Sequence, residues 1–204
     1  MSMKFLNITL FNPLTFFLLM FSLLALSAPS FTQDYKVKKV GKAFSHPWGI
    51  SVFDNDEVLI TERGGDLFKV NIENGSTIKI SNLPEVFNVR QGGLLDILVD
   101  KESVSERNVY ICYSSKVAGG SSTTLMAGAL KEDKLTSKTI LFKSNNVSES
   151  GVHFGCRLAI LNDEIFMSIG DRGNRYEAQD PKSHAGSVIR VNKYDGSTKG
   201  KKVY

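Results

Sequence analysis

Two side chains in this sequence have the types and spacing that suit proton transfer. His153 opens the run His153-Phe154-Gly155-Cys156-Arg157 just ahead of an apolar stretch. Asp171 closes the next apolar stretch, in Ile169-Gly170-Asp171-Arg172-Gly173, eighteen residues later. If the two stretches pair as a hairpin, the start of one lies beside the end of the other, and His153 and Asp171 share one rim. A carboxylate bonded to one imidazole nitrogen fixes the tautomer and leaves the other nitrogen as a base. Taken alone, the same pair also suits an ordinary surface hydrogen bond. A second candidate is Gln91-Gly92-Gly93-Leu94-Leu95-Asp96, where the glycines permit close backbone approach and Gln91 stands where a strand begins. Its plainer reading is a turn into a buried strand, in which Asp96, between Leu95 and Ile97, needs a partner. The other two histidines are His46, ahead of Pro47-Trp48-Gly49, and His184, in a polar loop.

The elements that must position these residues read as strands. Short apolar or alternating runs recur at 48–53, 57–61, 67–71, 93–99, 109–114, 124–130, 157–161, 164–170 and 187–191, bounded by Gly, Asn, Asp or Ser. No window holds a helical period for three turns, so the fold class is all-β. The segment Asn55-Asp56-Glu57-Val58-Leu59-Ile60-Thr61 resembles Asn162-Asp163-Glu164-Ile165-Phe166-Met167-Ser168, 107 positions on. Each copy leads to a Gly-containing loop (Arg63-Gly64-Gly65; Asp171-Arg172-Gly173) and a further strand, and a more diverged unit spans 92–134. Hairpin units repeating at tens of residues predict a β-propeller, with a sandwich of chance similarity as the alternative.

Composition sets the outer bounds. With 42% hydrophobic and 23% charged residues the 204-residue chain is not disordered. A net charge of +4, with Lys and Arg scattered among 21 acidic residues, gives no basic stripe for nucleic acid. Lys4 is the only charge before Asp34; the apolar run 14–26 and the small residues Ser27-Ala28-Pro29-Ser30 then complete a secretory signal peptide. The alternative is an uncleaved membrane anchor, against which stand the interruptions at Asn7, Asn12 and Pro13. The expected division is a signal peptide over 1–33 and a partial propeller domain over 34–204, with no stable membrane anchor after cleavage. At about 40 to 50 residues per blade, that domain holds three to four blades.

Export permits a disulfide, yet Cys112 lies in an apolar run where a thiol packs as a small hydrophobe. Two unpaired thiols are expected here in preference to a Cys112–Cys156 bridge. The triplets Asn74-Gly75-Ser76 and Asn146-Val147-Ser148 fit the glycosylation pattern.

The chain resembles the soluble pyrroloquinoline quinone (PQQ)-dependent aldose sugar dehydrogenases, the glucose/sorbosone dehydrogenase family. The resemblance is carried by His46-Pro47-Trp48-Gly49, Leu59-Ile60-Thr61-Glu62-Arg63, Gln91-Gly92-Gly93-Leu94-Leu95-Asp96, His153-Phe154-Gly155-Cys156-Arg157-Leu158, Ile169-Gly170-Asp171 and Ser183-His184-Ala185-Gly186-Ser187-Val188-Ile189-Arg190-Val191. They stand in family order across most of 36–196. It implies a six-bladed propeller, exported to the periplasm or secreted, with PQQ over the channel top. It further implies that His153 is the base for the anomeric hydroxyl of an aldose, that Asp171 orients it, and that Gln91 and Arg157 are cofactor-binding. The partners implied are the sugar and a soluble electron acceptor.

Two departures accompany the resemblance. Cys156 stands where the family has Gly, either crowding the cofactor face or sitting beneath it. After Gly196 the family continues through the second half of its propeller, which carries a cofactor-facing Arg and the calcium loop. No metal ligand is assigned in this chain, and calcium is expected to be held by that other half. The chain is therefore expected to be inactive alone, with two copies or a separate C-terminal piece able to close the ring. A noncatalytic exported fragment that binds a glycan or a protein partner is the alternative function.

Overall fold

Strand β6 (Val109–Val117) shows what organises the molecule. Its first seven residues are all buried, although side chains alternate between the two faces of a strand. Both faces must therefore be covered. Val109, Ile111 and Tyr113 enter one apolar cluster, with Leu59, Leu67 and Ile80. Tyr110 and Cys112 enter another, with Leu158, Ile165, Met167 and Val191. The sheet containing β6 is thus the middle layer of three. In a computed structural model of the chain, residues 35–103 and 108–198 are described. The expected signal segment lies outside these residues. The chain divides into two compact units, 1–38 and 39–204, and among the described residues the second carries every strand.

Blade 1 is β1 (Pro47–Val52), β2 (Glu57–Glu62), β3 (Leu67–Asn71) and β4 (Thr77–Lys79). Blade 2 is β5 (Leu94–Val99), β6, β7 (Gly120–Lys131) and β8 (Lys134–Lys143). Blade 3 is β9 (Gly155–Leu161), β10 (Glu164–Ile169) and β11 (Ser187–Asn192). Within each sheet, neighbours in sequence are neighbours in space, and all pairings are antiparallel. The first strands of the blades, β1, β5 and β9, pack side by side. These are three blades of a β-propeller, the lower of the two numbers expected. The outer blades show the alternation that the middle one hides: β10 reads half-buried, buried, half-buried along its length. On blade 1 the uncovered face leaves Trp48, Ile50 and Val52 at 42, 65 and 55% exposure.

Two strands escaped the sequence reading. β4 is only three residues long. β8 is an outer strand with most of its residues exposed, so no apolar pattern marks it. It is joined to β7 by a two-residue turn in which Glu132 and Asp133 have φ of 48° and 57°, the left-handed geometry of a tight hairpin. The middle unit consequently runs past its expected limit at 134, to Lys143. β7 also begins earlier than its apolar core, because the polar run Ser121-Ser122-Thr123-Thr124 is buried. Its hydroxyls are satisfied, Ser122 Oγ by Ser144 O at 2.6 Å and Thr123 Oγ1 by Phe154 O at 3.0 Å.

The expectation of two unpaired thiols is overturned. Cys112 on β6 and Cys156 on β9 form a disulfide with Cα atoms 5.6 Å apart. An apolar run with two buried faces points alternate residues at two different blades, so Cys112 faces blade 3 rather than packing alone. Cys156 has φ 77°, a left-handed conformation that favours glycine. Its side chain is fully buried in the interblade cluster, beneath the rim and not on it. The triplet at Asn146 is also corrected as a glycosylation site. Asn146 is buried and its Nδ2 donates to Gly170 O at 3.0 Å, because the connection between blades 2 and 3 folds inward there.

Candidate functional site

His153 lies on the connection from blade 2 to blade 3, just ahead of β9, and is held from three sides. Its backbone N–H donates to Gln91 Oε1 at 2.8 Å. Its carbonyl accepts the Arg172 N–H at 3.3 Å. Its Nδ1 stands 2.7 Å from Asp171 Oδ1. Gly170 makes this approach possible, since a Cβ there would collide with the His153 carbonyl. The imidazole itself is 54% exposed. Gln91 and Gly151 are also joined, N to O at 2.9 Å, so the two interblade connections brace each other at this rim. The structure thus brings His153, Asp171 and Gln91 together.

Asp171 is held as a carboxylate. The Gly173 N–H, 2.9 Å from Oδ1, and then the His153 ring depress its pKa below the ordinary carboxylate value, because hydrogen bonds to the charged form favour it. With the carboxylate on Nδ1, that nitrogen carries the proton, and in the neutral imidazole Nε2 offers the lone pair.

Arg157 stands apart from this dyad. Its Nη1 pairs with Asp96 Oδ1 at 2.9 Å, the guanidinium side 66% exposed and the carboxylate buried. Asp96 Oδ2 also accepts the Leu158 N–H at 2.8 Å. Burial raises the Asp96 pKa against these two interactions, which lower it. The partner that a buried Asp96 requires is thus supplied from β9, across the seam between blades 2 and 3.

Arg172 is a residue that sequence reasoning did not single out. It is buried, and its guanidinium donates to Val152 O at 2.8 Å, Ser121 O at 3.0 Å, Ser121 Oγ at 2.9 Å and Ser148 O at 3.3 Å. The same group lies 3.7 Å above the Phe154 ring centroid, and burial holds its pKa down to about 10. It ties together the segments on both sides of His153. Its one signal in the sequence is adjacency to Asp171 in a Gly-bounded loop. The remaining histidines have other duties. His184 Nδ1 accepts the Asn145 N–H at 3.0 Å, and His46 Nδ1 lies 3.2 Å from Ser45 Oγ.

A cavity of about 490 Å³ lies at the far ends of the inner strands, between Val52, Val99 and Leu161, with Asp100 and Lys193 in its wall. It is not at the dyad. Among the described residues no group of three or more His, Cys, Asp or Glu side chains could hold a metal ion. Among them, too, no helix is long and apolar enough to cross a membrane.

Residues 44–203 match the family model for glucose/sorbosone dehydrogenases. The aldose sugar dehydrogenase YliI of Escherichia coli is 31% identical over 151 residues, which are 72% of this chain and 41% of that protein. The crystal structure of the soluble aldose sugar dehydrogenase from Escherichia coli in its apo form superposes with TM-score 0.67 at 30% identity, covering 73% of this chain and 44% of that one. The PQQ-bound aldose sugar dehydrogenase from Streptomyces coelicolor shares the fold, with TM-score 0.69 at 22% identity over 82% of this chain and 52% of that one. The chain spans less than half the length of the curated relatives it matches.

Proposed function

The chain belongs to the glucose/sorbosone dehydrogenase family, and from that premise we propose that its rim serves the PQQ-dependent oxidation of an aldose at the anomeric carbon. The observation that carries the reading is the His153–Asp171 contact, 2.7 Å long at an exposed rim and braced by Gln91 from the next blade. His153 Nε2 takes the proton of the anomeric hydroxyl as the carbon-bound hydrogen leaves as hydride. Asp171 keeps the imidazole in the required tautomer and balances the imidazolium that forms. Gln91 fixes the backbone of His153 through Oε1 and keeps its amide NH₂ for a ligand.

PQQ, when bound, supplies the two-electron acceptor for the hydride. It carries carboxylates and needs cationic and amide partners. The rim fits that requirement in part, through the Gln91 amide and through Arg63, whose buried Nε has no hydrogen-bond partner among the described residues. Arg157 is a weaker candidate, because Asp96 already engages its Nη1. The ligands of calcium are sought outside these blades. We expect turnover to need a completed ring, and export to the periplasm or the cell exterior is supported by the disulfide.

The test is PQQ-dependent, aldose-stimulated dye reduction by the protein in its completed form, with His153→Ala and Asp171→Asn beside it. His153→Ala should abolish the rate while leaving PQQ affinity within a fewfold. A His153→Ala protein as active as its parent would remove His153 from the mechanism. A second reading, a noncatalytic fragment that binds a glycan or protein partner, is favoured by the exposed strip Trp48, Ile50 and Val52. Saturable glycan binding with no PQQ binding would support it.

A further inference from the structure

The rim frame around His153 occurs twice. His46 lies 107 residues before His153, and the two backbones are set alike, at φ 55° and 51°. Each carbonyl accepts an N–H from the loop that follows the second strand of its blade, Arg63 to His46 at 3.1 Å and Arg172 to His153 at 3.3 Å. Blade 3 places the carboxylate of Asp171 in that loop. Blade 1 has Gly64 at the matching position, and its Arg63, set by its N–H as Arg172 is in blade 3, lacks the main-chain acceptors of Val152, Ser121 and Ser148 that occupy the Arg172 guanidinium.

Arg63 is firmly set and electrically unfinished. Its carbonyl accepts the Leu94 N–H at 3.1 Å, and its stem runs over Gly93, where a Cβ would stand 2.8 Å from Arg63 Cγ. Gly93 is two residues from Gln91, which holds the His153 backbone, so Arg63 adjoins the same brace from blade 1. Its Nε is buried with no hydrogen-bond partner among the described residues. The adjacent Glu62 is engaged by the Ser45 N–H. A donor on a permanent cation, withdrawn from water and left unmade, costs more than a neutral one. The group that answers a planar guanidinium best is a carboxylate, which takes two parallel N–H bonds.

We propose that Arg63 is an anion-binding residue of this rim and takes a carboxylate of the ligand that His153 serves. The inference rests on the rim being the ligand site described above, but not on which ligand brings the carboxylate. PQQ and an acidic sugar such as a hexuronate both carry the group, and a neutral aldose does not.

Equilibrium dialysis of the protein in its completed form at low salt separates the cases, with PQQ, D-glucuronate and D-glucose measured against the wild type, Arg63→Gln and Arg63→Lys. Gln keeps the stem over Gly93, and the thermal midpoint checks that each variant folds. Arg63→Gln should weaken whichever carboxylate binds the wild type by about tenfold or more, leave glucose unchanged, and place Arg63→Lys between. PQQ weakened by Arg63→Gln assigns the carboxylate to the cofactor. Glucuronate weakened in a wild type that does not bind PQQ assigns it to an acidic sugar, and refutes the cofactor reading alone. PQQ bound equally by wild type and Arg63→Gln, with glucuronate no better than glucose, overturns the role of Arg63 and spares the proposed function. Binding of neither carboxylate overturns both.

Discussion

Removing the Cys112–Cys156 bridge tests two effects of opposite sign at one position. The bridge spans a sequence separation of 44, and loop-closure entropy for that length gives about 4 kcal/mol of stabilisation in the chain-entropy model. Against this, Cys156 holds φ 77°, which costs a residue with a Cβ roughly 1–2 kcal/mol relative to glycine. The double variant Cys112→Ala with Cys156→Gly loses the bridge and sheds the strain, so it should be destabilised by about 2–3 kcal/mol. Cys112→Ala with Cys156→Ala loses the bridge and keeps the strain, and should lose about 4 kcal/mol. Urea unfolding followed by near-UV circular dichroism reads both as midpoint shifts, with an unfolding slope of about 2 kcal/mol per molar. Reductant should lower the wild-type midpoint substantially and leave both doubles where they were. If the Ala double is no less stable than the Gly double, backbone strain at Cys156 is not the offsetting effect. If neither double differs from the wild type, the bridge does not hold the blades together.

Other perturbations follow from the same geometry. Arg172→Met keeps the stem over Phe154 but leaves the acceptors of Ser121, Val152 and Ser148 unmet, and should cost about 2–4 kcal/mol in thermal or urea unfolding; loss below 1 kcal/mol would mean that water replaces the guanidinium. Arg157→Ala leaves Asp96 charged and buried, for a penalty of roughly 1–3 kcal/mol. The pKa of Asp96 is already raised in the fold, so that penalty should shrink as pH falls through it and persist at neutral pH; a penalty independent of pH would refute the pairing. Asp171 has the opposite sign. Its depressed pKa adds stability above the ordinary carboxylate value of about 3.9 that is lost as pH falls below it. Asp171→Asn should therefore flatten the acid limb of the stability profile, measured by unfolding between pH 2 and 7.

The order in which the blades became legible reflects how many of their faces are covered. Blade 3 has one packed face, so Cys156, Leu158, Ile165 and Met167 alternate with polar or half-exposed residues, and its strands could be placed from the sequence to within a residue or two. Blade 2 is covered on both sides. Its β6 reads as an apolar run whose direction on each side cannot be seen, which is why Cys112 was expected to pack alone. β8 has the opposite difficulty: an outer strand needs backbone pairing more than apolar side chains, and Lys134, Thr136, Lys138 and Thr139 give no period to find.

The rim divides along similar lines. His153 and Asp171 are visible because their chemistry lies in their side-chain types and because strand pairing brings the end of β10 beside the start of β9. Gln91 is visible only as a residue before two glycines, since its bond runs to a backbone N–H 62 residues away. Arg172 has no chemical signature at all, because what it satisfies are main-chain carbonyls and a serine that the sequence does not label as acceptors. The repeat explains both the clarity and the blind spots. It conserves a backbone frame, a left-handed histidine whose carbonyl is closed by the following loop, in blades 1 and 3 alike. What it leaves free is what the side chains of that loop do: in blade 3 Asp171 reaches the histidine and Arg172 is spent on main-chain acceptors, whereas blade 1 has Gly64 in place of the carboxylate and leaves Arg63 Nε unmet among the described residues. A frame so duplicated sets the proposed base, His153, on one side of the rim and the proposed anion-binding group, Arg63, on the other, with Gln91 and Gly93 of the middle blade between them.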